Sequence, residues 1–198
     1  MTKGQDTRQR VVRTAAELFQ RQGYHATGVN QILSTGRAPK GSLYFHFPGG
    51  KEQVAVEAVT ASGAALGDRL RAALDAADPA DGLTRLVDLL AAALAGSDYE
   101  QGCPVAGIAI DTASTSEPIR AACADAYGRW LEIIETALTD WGVPVDQAAA
   151  LAVTLFSALE GALLLARVRR DTGPLRALVA PLATLITATA TATATATD

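Results

Sequence analysis

Cysteine, histidine and methionine are scarce in this chain, and so are aromatic rings. Its 198 residues include two cysteines, two histidines and one methionine, with aromatic side chains at 5%. Cys103 and Cys123 alone could form a disulfide, and no CxxC or Cys/His cluster appears. A disulfide scaffold and a structural zinc site are therefore not expected. No Gly-rich phosphate loop, Ser-His-acid set or metal cluster stands out, which weakens the case for an enzyme; no cofactor and no metal are expected. A targeting signal is missing too, because the first ten residues are charged and lead straight into a helix pattern. The longest uncharged stretch, 177–197, carries Pro181 and seven threonines. A spanning helix needs more continuous hydrophobicity, so the expectation is a soluble, cytoplasmic protein without a membrane segment.

Alanine is abundant instead, at 41 residues, alongside many leucines. Alanine loses no side-chain entropy in a helix, so an all-α fold is expected, large enough for one domain or one domain plus an appendage. The net charge of −4 hides an asymmetry. Residues 1–51 hold eight basic groups against Asp6 and Glu17, a balance of +6, whereas 52–198 hold nine basic and nineteen acidic groups, a balance of −10. A basic quarter on an acidic remainder suits a polyanionic partner, although a plain solvated surface would look the same. Phe19, Tyr24, Tyr44, Phe45 and Phe47 are half of the ten aromatic residues. A unit of about 50 residues needs such large side chains to hold together.

Along the chain, Val11, Val12, Ala15, Leu18 and Phe19 share one helical face between Thr7 and Gln22, and Gly23 ends that helix. Thr27 reads as the N-cap of a short helix carrying Val29, Ile32 and Leu33 inward. Ser34-Thr35-Gly36-Arg37 reads as a tight turn, and Pro39 suits the first position of a helix running to about Phe45. Two short helices across a four-residue turn, supported by a preceding amphipathic helix, make a helix-turn-helix. Its second helix bears Lys40, Gly41, Ser42, Tyr44 and His46, with Leu43, Phe45 and Phe47 expected in the core. Further helices are expected near 51–76, 81–96, 104–113, 117–141, 144–170 and 174–187, separated by Gly and Pro breakers. The helix at 144–170 is apolar almost all round, so a second subunit is expected on one side. The Ala/Thr tail, 188–198, could alternate as a strand or prolong the last helix.

Thr27-Gly-Val-Asn-Gln-Ile-Leu, then Ala38-Pro-Lys-Gly-Ser-Leu-Tyr-Phe-His-Phe-Pro, then Lys51-Glu, strongly resembles the helix-turn-helix of TetR-family transcriptional repressors over about residues 7–59. Gly49-Gly50 adds one residue before Lys51, and with Gly102-Cys-Pro-Val this is similar to the LmrA/YxaF-like subgroup. One position departs: Arg37 stands where the family usually has glycine, with Gly36 one residue earlier. Either Arg37 takes up a positive φ under strain, or the turn is shifted by one residue.

The resemblance implies a DNA-binding domain at 1–50, a helical effector-binding and dimerisation domain at 51–187, and a homodimer on a palindromic double-stranded operator. Its recognition helices would enter successive major grooves, about 34–36 Å apart. Thr27, Arg37, Pro39, Lys40, Gly41, Ser42, Tyr44, His46 and Lys51 are the expected DNA-facing set. Thr27, Tyr44, His46 and Lys51 suit phosphates, while Lys40 suits a base edge or a phosphate. His25 reads as a surface or packing residue. A small lipophilic or aromatic effector would release the repressor, and candidate pocket residues are Tyr99, Ile108, Thr112, Tyr127, Trp130, Ile134, Phe156 and Glu160. The same spacings equally describe core residues. Leu155, Leu159, Leu163 and Ala166 are expected at the subunit interface. A helical scaffold that holds a small molecule without DNA is the other reading, and the basic first quarter argues against it.

Overall fold

The computed structural model describes residues 3–39 and 41–194, and the regular structure among them is helical. The elements are α1 (Lys3–Gln22), α2 (Val29–Thr35), α3 (Ser42–His46), α4 (Gly50–Leu74), α5 (Pro79–Gly96), α6 (Ala106–Thr112), α7 (Glu117–Asp140), α8 (Val145–Arg169), α9 (Gly173–Arg176) and α10 (Val179–Ala194). They group into two compact units, one of residues 1–65 with 101–127 and the other of 66–100 with 128–198.

The first unit is built on the aromatic-rich quarter. Val11, Ala15 and Phe19 of α1 are fully buried, as are Ile32 of α2, Leu43 and Phe47 around α3, and Val54 and Val59 of α4. Val105, Ile108, Ile119 and Ala126 from the later segment complete this core. Gly23 ends α1 at φ +84°, and its N–H donates to the Phe19 carbonyl at 2.9 Å, so glycine supplies the left-handed residue that closes the helix.

The second unit is leucine-rich. Leu83, Leu86 and Leu94 of α5, Trp130 and Leu138 of α7, and Leu155 of α8 are buried in it. Asp78 caps α5 by accepting from the Asp81 N–H at 3.0 Å, and Pro79 follows as the first helical residue. Trp141 donates its indole N–H to the Ala76 carbonyl at 2.9 Å. A methyl group on Gly82 would overlap the Trp141 indole, so glycine is required there for close approach.

Several expectations change. α3 starts at Ser42 rather than at Pro39, with Gly41 as its N-cap. Gly41 therefore carries no mid-helix penalty. The helix expected over 174–187 is two helices, because Pro181 lacks the N–H that would bond the Ala177 carbonyl and its ring crowds that residue. α10 then continues into the Ala/Thr tail as far as Ala194, leaving 195–198 outside the described residues. Its threonine hydroxyls are satisfied within the helix by bonding back one turn: Thr189 donates to the Leu185 carbonyl at 2.8 Å and Thr191 to the Thr187 carbonyl at 3.0 Å.

In α8 the inward face differs from the expected one. Leu155, Leu159, Leu163 and Ala166, expected at the subunit interface, are buried within their own chain. The exposed apolar face is Val153, Leu164, Leu165 and Val168. A helix apolar on both faces hides which one turns inward, since each satisfies the same helical spacing. Val145–Arg169 and Gly173–Ala192 are also long and apolar enough, by length and composition, to cross a membrane. For α8 that apolarity fills the core of the second unit on one side.

Candidate nucleic-acid interface

The helix-turn-helix turns on Gly36 and Arg37. Gly36 caps α2 at φ −75° and donates its N–H to the Ile32 carbonyl at 2.9 Å. An added methyl group there would lie 3.0 Å from the Ile32 oxygen and 3.1 Å from the Thr14 hydroxyl, so glycine lets α2 sit close against α1. Arg10 of α1 reinforces the seat by donating Nε–H to the Gly36 carbonyl at 2.8 Å. The next residue reverses the chain: Arg37 adopts φ +48°. The turn has therefore not shifted, and a non-glycine residue bears the left-handed conformation. Its side chain is exposed beside Ala38 and Pro39, which follow without helical structure.

α3 sorts its aromatic residues sharply. Leu43 and Phe47 are fully buried, four residues apart on one face. Tyr44 is 71% exposed and Phe45 81% exposed. Phe45, expected in the core, is thus an outward residue. The signal was available, because a residue two positions from both Leu43 and Phe47 lies about 200° round a helix from each. His46 is half-buried with its ring 4.9 Å from Phe45 and 6.4 Å from Phe47. Ser42 opens α3 behind the exposed Gly41, and Lys40 lies outside the described residues.

Thr27 and Lys51 hold the fold as well as flanking α3. Thr27 is fully buried, and its hydroxyl donates to the Gly23 carbonyl at 2.8 Å. The N-cap of α2 is Gly28, with no side-chain capping bond, which corrects the role given to Thr27. The Lys51 ammonium donates to the Tyr24 carbonyl at 2.7 Å and sits 4.0 Å from the Tyr24 ring centroid. Burial pushes its pKa down from the usual lysine value, and the Asp111 carboxylate partly offsets that. Gly50, at φ +65°, makes the turn that starts α4 just before it, which accounts for the extra residue ahead of Lys51. Part of the positive charge is neutralised internally: Arg8 pairs with Glu57 at 2.6 Å and Arg10 with Asp6 at 2.8 Å.

The expected effector residues divide between the two units. Ile108, Thr112 and Tyr127 belong to the first; Tyr99, Trp130, Ile134, Phe156 and Glu160 belong to the second. Ile108 and Thr112 are buried, and the Thr112 hydroxyl donates to the Ile108 carbonyl at 2.7 Å. In the second unit Trp130 and Ile134 are buried, with the Trp130 ring 6.0 Å from that of Phe156. Tyr99 takes φ +63° and lies under Arg170, 5.7 Å from its ring centroid. Among the described residues no group of three or more His, Cys, Asp or Glu is arranged to hold a metal ion.

Three N-terminal helices around their own buried core, with outward aromatic residues on the short α3 and further helices after them, have the arrangement of a helix-turn-helix regulator. Residues 11–58 match the family of bacterial regulatory proteins of the tetR family, and residues 79–180 match the C-terminal domain of LmrA/YxaF-like transcriptional regulators. The chain is 37% identical over 171 residues to the HTH-type transcriptional regulator LmrA of Bacillus subtilis, covering 86% of this chain and 91% of that protein. It is 35% identical over 187 residues to the uncharacterized regulator YxaF of the same organism, covering 94% and 98%. A TetR transcriptional regulator from Chloroflexus aurantiacus has the same fold at a TM-score of 0.77 and 31% identity, covering 94% of this chain and 97% of that one. The chain belongs to the TetR family of DNA-binding transcriptional regulators, within its LmrA/YxaF-like branch, and these relatives are regulators rather than enzymes.

Proposed function

We propose that this protein is a ligand-responsive repressor that binds a palindromic operator as a homodimer and leaves it when a small lipophilic or aromatic effector binds. One observation carries the DNA part: a five-residue helix turns two large aromatic side chains, Tyr44 and Phe45, into solvent while its other face anchors the core. Exposing that much apolar area is unfavourable in water and sensible against a groove. Lys40, Ser42 and Gly41 lead this helix into the groove, with Arg37 and Pro39 at its edge. Tyr44, His46 and Lys51 take phosphates. Thr27, already bonded through its hydroxyl to Gly23, acts mainly by holding the α1–α2 turn.

The functional division follows the chain: a DNA-binding part at 1–50, an effector and dimerisation part at 51–187, and the Ala/Thr tail at 188–198. The exposed apolar face of α8 is covered by a second copy. Val153, Leu164, Leu165 and Val168 lie on that face, and a groove of about 590 Å³ lined by Ser157, Gly161, Leu165, Pro174 and Leu178 runs beside it. Small residues at Ser157 and Gly161 permit close helix approach. Aromatic and apolar side chains such as Trp130 and Phe156 in the second unit suit the effector, with Tyr99 and Glu160 as polar partners. Bacterial regulators of this kind act on DNA in the cytoplasm.

The test is selection from a pool of random-sequence DNA duplexes by the full chain. Two-fold symmetric sites with half-sites about one helical turn apart are expected. A pool with no enriched sequence contradicts the reading.

A further inference from the structure

The turn that joins α1 to α2 is held from outside the helix-turn-helix. The Asp111 carboxylate, on α6, accepts from the Tyr24 N–H at 2.8 Å and, at 3.4 Å, from the His25 N–H. The backbone oxygen of Asp111 lies 2.9 Å from the His25 Nε2. The same chain segment reaches two neighbouring elements. Gln20 of α1 donates to the Gly102 carbonyl, and Ser116 donates to Glu52 of α4 at 2.6 Å. Lys51, bonded to the Tyr24 carbonyl, braces the other side of the turn and feels the Asp111 charge.

Gly23 records how closely this arrangement is fitted. A methyl group there would lie 2.6 Å from the Asp111 Oδ2 and displace the carboxylate from the turn, and the φ of +84° independently favours glycine. We propose that Asp111 is a positioning residue for DNA recognition: its carboxylate fixes the α1–α2 turn, and with it the seat of α2 and α3, from α6. Bonds from backbone N–H groups to an ionised carboxylate are among the stronger hydrogen bonds of a protein. Releasing them leaves α2 and α3 free to sample orientations that do not fit a groove. The proposal needs only DNA binding, and does not depend on ligand responsiveness.

The experiment compares the full chain with Asp111→Ala and Asp111→Asn, using a duplex that the parent enriches from a random pool as the probe. Enrichment by the parent tests DNA recognition separately. Two quantities are read: the dissociation constant, and hydrogen exchange of the Tyr24 and His25 amides. In Asp111→Ala both amides exchange faster. If the competent orientation falls to about a tenth of the population, binding weakens about tenfold. Asp111→Asn keeps an oxygen that accepts from the Tyr24 N–H, and it recovers most of both quantities. A residue that merely stabilises the fold would lower the thermal midpoint without moving affinity well below it. Parental affinity in Asp111→Ala overturns the proposal, as does unchanged exchange, or an equal loss in the Ala and Asn variants. Should Asp111→Ala fail to fold, Asp111→Ser, too short to reach the turn, is judged by the same criteria.

Discussion

Replacing Arg37 by glycine should stabilise the protein, against the usual effect of introducing glycine. Arg37 sits at φ +48°, where an L-residue with a Cβ is penalised by about 1–2 kcal/mol. Glycine removes that penalty and adds about 0.5–1 kcal/mol of backbone entropy cost on folding. The net gain is about 0–1.5 kcal/mol, centred on about 0.75 kcal/mol, which is about 1.5–3 °C in thermal midpoint for a chain of this size. Arg37→Ala is the proper reference, because it deletes the same exposed guanidinium and keeps the backbone penalty. The Arg37 N–H donates to the Ser34 carbonyl at 3.1 Å, and both variants retain that group. Thermal unfolding at one protein concentration reads the difference, because the midpoint of a dimer depends on concentration. Arg37→Gly should melt above Arg37→Ala, and both should bind DNA more weakly than the parent for lack of the cation. A glycine variant that melts at or below the alanine variant refutes the left-handed assignment at Arg37.

Other consequences follow from burial. Leu165→Glu, on the exposed face of α8, should leave helicity intact and abolish self-association in light scattering; a parental mass would mean the face lies elsewhere. Leu155→Ala, fully buried, should instead cost about 2–5 kcal/mol of stability, visible as an earlier denaturant midpoint. Cys123 is buried, and burial pushes its thiol pKa up, whereas Cys103 is half-buried. Iodoacetamide at mildly alkaline pH should therefore modify Cys103 well before Cys123, and equal rates by peptide mass analysis would contradict that burial.

The head of the molecule was legible because its signals are local. Val11, Ala15 and Phe19 repeat at helical spacing, Gly23 stops α1, and the turn residues announce the change of direction. Hydrophobicity alone groups Leu43, Phe45 and Phe47 in the core; the first and last are buried there, and helix geometry sends Phe45 outward. In α8 the ambiguity is intrinsic. Leu155 and Leu159 line one face, Leu164, Leu165 and Val168 another, and sequence spacing cannot rank two apolar faces. Asp111 left no trace in the sequence. A carboxylate that bonds a backbone amide 87 positions away carries no local pattern, and only the fold brings the two together.

DNA recognition is proposed to lie on the outward face of α3. Its most direct test is an electrophoretic shift titration of Tyr44→Ala against a duplex enriched by the parent chain, with circular dichroism as the control for folding. Tyr44 is exposed, so the variant should keep parental helicity while its affinity drops at least tenfold, about 1.4 kcal/mol. Parental affinity in a folded Tyr44→Ala variant would mean that the exposed side of α3 does not meet DNA.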